Sequence, residues 1–128
     1  MKVHPYLNHF PIAFFLLELF LLTLWRRRRD EAYERFAYFA LRLAVLSMPF
    51  VMVAGILDAR GLPPMVRLHF FLAVCLFIFG LLRLFFRWRL GRSIWASPGV
   101  GSLYFFAAVV NTILTVVAAH FGGLLVYG

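Results

Sequence analysis

Four imidazoles, His4, His9, His69 and His120, are the residues whose type and spacing could do chemistry. A b-type haem takes two axial histidines from facing helices, with small residues nearby to admit the macrocycle. Three or four imidazoles without haem would suit zinc or copper. Zinc hydrolases add a carboxylate base, and no His-Glu-x-x-His spacing occurs here. Copper transport favours paired methionines or cysteines, whereas Met48, Met52 and Met65 are scattered and Cys75 stands alone. No Ser or Cys sits at a nucleophile elbow. Taken singly, each histidine is better explained as a cap or an interhelical hydrogen-bonding group. What gives them weight is where the surrounding elements carry them.

Those elements are membrane helices. The chain has 128 residues, room for one domain, of which 64% are hydrophobic and 14% charged. A soluble domain is nearer half apolar and a quarter charged, so lipid is the expected solvent. The +8 formal charge would suggest nucleic acid in a soluble protein, but the basic residues cluster between apolar runs and instead report topology. The lone cysteine excludes an internal disulfide. No cleavable signal peptide is evident.

Spans are expected at about 5–25, 36–57, 65–86 and 102–126, an all-α up-down four-helix bundle. Pro5 would open the first span with His4 at its cap, and Ser102 would cap the fourth. Pro49 should kink the second, and the turn from Asp58 to Pro64 should end it. Arg26 to Arg29, Arg35, Arg87, Arg89 and Arg92 flank one side; Lys2, Arg60 and Arg67 flank the other. The positive-inside rule then places both termini on the outer, periplasmic side of a bacterial cytoplasmic membrane.

At a rise of 1.5 Å per residue, all four histidines fall near that outer surface, in a layer ~10 Å thick. Ala54, Gly55, Ala73, Ala118, Ala119, Gly122 and Gly123 lie at the same level and leave room. Arg60, Arg67 and Lys2 could receive haem propionates, or be ordinary loop charges. Asp58 could orient an axial imidazole through its second nitrogen, or cap its own loop. Deeper in, Glu18 is expected to pair with Arg42 and fix helix register, with a proton path for a quinone as the bolder alternative. Asn111 and Thr115, four apart, should hydrogen-bond across helices, and Arg83 should snorkel to the inner interface.

Several motifs coincide with a known family. His4-Pro5, His9-Phe10-Pro11-Ile12-Ala13, Gly55-Ile56-Leu57-Asp58, a histidine opening the third span and His120-Phe121-Gly122-Gly123 resemble domain of unknown function 2231, a family of bacterial four-helix membrane proteins. The resemblance covers nearly the whole chain. Members are sometimes fused to Rieske iron–sulfur or c-type cytochrome domains, which implies a b-type haem and electron transfer at the outer face. By motif, the resemblance carries over His4, His9, His69 and His120. Since this sequence ends after Tyr127-Gly128, the implied redox partner is a separate subunit of a hetero-oligomeric complex.

The resulting expectation is a membrane-embedded b-type cytochrome subunit. Its haem, one or two side by side, would be held by two of the four histidines, with His9, His69 and His120 ranked above His4 because they should be helical and point into the bundle. The alternatives are a cofactor-free structural or assembly subunit and a divalent-metal protein.

Overall fold

The computed structural model describes residues 9–59 and 64–127, with side chains at 9–55 and 68–120. Four helices carry the chain: α1 (His9–Arg28), α2 (Glu31–Ala59), α3 (Pro64–Leu90) and α4 (Pro98–Tyr127). A short 3-10 turn, Gly91–Trp95, links α3 to α4, and there is no strand among the described residues. Every one of the four contains a stretch long and apolar enough to cross a membrane. Neighbours pack in the cyclic order α1–α2–α3–α4–α1, with the α1–α2 pair the most extensive.

One spacing governs all four helices. The buried positions are Pro11, Phe15, Glu18, Leu22 and Trp25 on α1, and on α2 they include Glu34, Ala37, Leu41, Ala44, Met48 and Val51. On α3 they include Leu76, Gly80, Arg83 and Arg87, and on α4 Tyr104, Ala108, Asn111, Thr115 and Ala118. The steps alternate between three and four, the seam of a left-handed bundle with near-antiparallel crossing. The opposite faces are as greasy as the seam: Phe20, Phe36, Phe50 and Phe106 are all more than half exposed. Apolar bulk faces outward while Glu, Arg and Asn face inward, so lipid rather than water must cover the outside.

Small residues let the helices approach closely. A Cβ on Gly80 would lie 3.1 Å from Val45 Cγ2, so α3 and α2 meet there nearly backbone to side chain. A Cβ on Gly101 would lie 3.2 Å from the Trp95 ring, which seats the 3-10 turn against α4.

The connections follow from capping. Arg29 adopts a left-handed φ of 57°, ending α1, and Asp30 Oδ1 accepts the Ala32 N–H at 3.0 Å, the bond of an N-cap. Gly91, at φ 60°, ends α3 after Leu90, four residues beyond the expected end at Phe86. The fourth helix begins at Pro98 rather than Ser102, which is exposed within it; proline suits a first turn, where its missing N–H has no intrahelical partner to lose. Helix α2 runs unbroken through Pro49 and past Asp58 to Ala59.

Two apolar clusters stack along the axis. One joins Phe15, Leu41, Val45, Leu76 and Ala118; the other joins Leu22, Ala37, Ile94, Tyr104 and Ala108. On α1 Glu18 falls between them, and that is where the polar layer lies.

Candidate functional site

The bundle has two chemically distinct ends, one rich in arginine and one carrying the histidines.

Toward the arginine end two acid–base pairs are buried. Arg83 sends Nη1 and Nη2 to the two carboxylate oxygens of Glu18, each at 2.8 Å, a bidentate pair across the bundle diagonal from α3 to α1. Its Nε and Nη2 also donate to Asn111 Oδ1 on α4, at 3.1 and 2.9 Å. Glu18 and Asn111 are fully buried and Arg83 nearly so. One turn further along α3, Arg87 donates to both oxygens of Glu34 on α2, at 2.5 and 2.8 Å. The Trp95 indole N–H donates to the same carboxylate at 3.1 Å. At the rim, Arg92 and Glu31 form an exposed pair. Desolvating an ion is costly, and bidentate geometry with the remaining donors satisfied is what makes such burial tolerable.

This layer corrects two expectations. Glu18 pairs with Arg83, not Arg42, and Arg83 does not snorkel to an interface. Arg42 is one step past Leu41 on the seam, roughly 100° away, which turns it to the outside. There its guanidinium lies 4.6 Å from the Tyr38 ring and 5.6 Å from Phe39. Sequence reads Arg87 only as a flanking charge that reports topology and does not single out Glu34 or Trp95, although Leu76, Gly80, Arg83 and Arg87 repeat at the seam spacing and so announce a shared inward face. Asn111 does bond across helices. Thr115 donates within its own helix, to the Asn111 carbonyl at 2.7 Å, while Thr112 donates to the Ala108 carbonyl at 2.9 Å and lies 3.4 Å from the Phe15 carbonyl of α1.

At the other end, α1, α3 and α4 each bring one described histidine. His9 is nine residues from Glu18 and His120 nine from Asn111, so both stand roughly 14 Å from the polar layer; His69, fourteen residues from Arg83, stands roughly 21 Å from it. Their faces differ. His69 continues the α3 seam one heptad before Leu76 and is half-buried. His9 precedes Pro11 by two positions and His120 follows Ala118 by two, about 200° from the seam, and both are exposed. The expected inward turn is therefore seen at His69 alone of the three.

Small residues do gather at this level: Ala54 and Ala118 are buried, and Gly55, Ala73 and Ala119 half-buried. An apolar cavity of about 340 Å³ opens between α3 and α4 below His69 and His120, lined by Leu72, Cys75 and Phe79 on one side and Leu114 and Val117 on the other. Among the described residues no two histidines form a haem-ligating pair, and no three His, Cys, Asp or Glu side chains could hold a bare metal ion. His4, Lys2 and Arg60 lie outside the described residues, as do the side chains of Asp58 and Arg67 and the surroundings of Gly122.

Fold and charge pattern together define an integral membrane four-helix bundle. The chain belongs to the family described as predicted membrane protein DUF2231, whose model matches residues 1–128. No curated protein and no solved structure matches it.

Proposed function

We propose that this membrane protein is an electron-relay subunit carrying a b-type haem at its histidine end. The observation that supports the reading is His69. It is an imidazole on the inward seam of α3, at the end where α1 and α4 also carry histidines and where Ala54, Gly55, Ala73 and Ala118 leave space between helices. A transmembrane imidazole on an inward face is a functional-site candidate by default. The described residues do not complete a two-imidazole site within one bundle, because His9 and His120 face away from the seam. In this reading His69 is the interior ligand, and the second comes from His4, or from His9 or His120 at a subunit boundary. When bound, haem supplies reversible one-electron chemistry.

In this reading the end lies at the outer face of a bacterial cytoplasmic membrane, which the one-sided arginine clusters and the positive-inside rule support. The partners would be a quinone in the bilayer and a separate c-type cytochrome or Rieske iron–sulfur subunit outside it. Arg60, Arg67 and Asp58, close to His69 in sequence, would meet the propionates and the imidazole.

A cofactor-free assembly subunit is the second reading. It draws on the outward faces of His9 and His120 and on a polar layer whose charges satisfy one another. One experiment separates the two: the absorption spectrum of the full chain, purified from haem-replete cells, before and after dithionite. The haem reading requires a Soret band that shifts on reduction and is lost in His69→Ala. A featureless spectrum leaves the assembly subunit.

A further inference from the structure

We propose that the outer face of α2 around Phe36 and Phe39 binds the phosphate of an anionic phospholipid, with Arg35 and Arg42 on either side of it. The inference is independent of any haem. Arg35 and Arg42 are seven residues apart, which puts them on one stripe and about 10 Å apart along the axis. A cavity of about 410 Å³ lies at this face, lined by Arg35, Phe36 and Phe39.

Arg42 is the telling residue. It stands roughly 16 Å along α2 from Glu31, at a depth where lipid rather than water should face it, yet it is exposed. Helical side chains lean toward the helix N-terminus, and the guanidinium follows that lean, over Tyr38 and Phe39 and toward Arg35.

Among the described residues no carboxylate is left to neutralise it. Of the chain's five acids, Glu18 is held by Arg83, Glu34 by Arg87 and Glu31 by Arg92, while Asp30 caps α2. The fifth, Asp58, lies sixteen residues further along α2, roughly 24 Å away. A cation facing hydrocarbon needs an anion or a route to the headgroups, and a lipid phosphate supplies the first at the end of the second. Beyond Arg42 the stripe continues through Leu46, Phe50 and Val53, all more than half exposed, a track along which an acyl chain attached to that phosphate can lie.

The test is native mass spectrometry of the full chain in dodecyl maltoside, titrated with phosphatidylglycerol or with phosphatidylcholine of the same acyl chains. The wild type should bind one phosphatidylglycerol at least fivefold more tightly than phosphatidylcholine. Arg42→Gln should lose most of that preference, and the Arg35→Gln/Arg42→Gln double variant all of it, with helical circular dichroism unchanged. Arg27→Gln/Arg28→Gln, equal in charge removed but at the end of α1, should keep it. Equal affinity for the two lipids, a preference surviving in the α2 double variant, or an equal loss in the α1 control would each overturn the proposal.

Discussion

The two ends of this bundle answer the same problem, polar groups among apolar helices, in opposite ways. At the arginine end each buried charge meets a countercharge on another helix: Glu18 with Arg83, Glu34 with Arg87. At the histidine end the polar groups are imidazoles spread over three helices and two kinds of face, with alanine and glycine between them. The first arrangement is self-sufficient; it fixes which helices meet and at what height. The second has room and ligand chemistry but no internal closure among the described residues. In a membrane, where apolar surface discriminates poorly between helix partners, specificity falls to such polar contacts and to close approach at small residues. The contrast teaches that the paired charges and the histidines are segregated along the axis.

Substitutions can break that contrast, and the largest effect belongs to the diagonal pair. Glu18→Ala leaves Arg83 buried without its carboxylate and should cost about 3–5 kcal/mol in thermal or denaturant unfolding of the detergent-solubilised chain. Replacing both partners, Glu18→Met with Arg83→Met, should recover most of that loss, since the penalty lies in the orphaned ion rather than in the absent pair. If the double variant were as unstable as the single one, the charges would be contributing more than mutual compensation. Next comes Glu34→Gln, which weakens the bonds from Arg87 and Trp95; a loss of about 1.5–3 kcal/mol is expected in the same assay. Gly80→Ala follows at about 1 kcal/mol, because Val45 must yield a few tenths of an ångström. Smallest are His9→Ala and His120→Ala in the haem-free chain, both exposed, which should stay within about 0.5 kcal/mol of the wild type. A large destabilisation by either would erase the division between the ends.

Much of the architecture was legible. Apolar runs of spanning length, bounded by arginine clusters and by glycine and proline, are direct readouts of lipid as solvent, and four of them dictate four helices. The buried polar layer was half legible. Glu18 and Asn111 are legible in the sequence as polar groups among apolar ones, but depth alone favours Arg42 as the partner of Glu18 and sends Arg83 to the inner interface. Depth fixes only one coordinate. The missing one is angle around the helix, and it is set by the three-four spacing of small residues such as Ala37, Ala40 and Ala44, which turns Arg42 outward. The same coordinate separates His69 from His9 and His120. Their shared end could be counted out in residues, but their faces required the seam. Glu34 stayed hidden because, next to Glu31 and Arg35, it looks like one more rim charge.

The distribution of the paired charges along the chain has a consequence for how the protein is made. Both acids of the buried pairs, Glu18 and Glu34, belong to the first hairpin; both bases, Arg83 and Arg87, belong to the third helix. Translation runs from the amino terminus, so the carboxylates reach the membrane first and stand there without partners until the arginines emerge. The leading half is thus a template for the trailing half: neither can settle in lipid at low cost alone, and each carries the charge that makes the other's insertion tolerable.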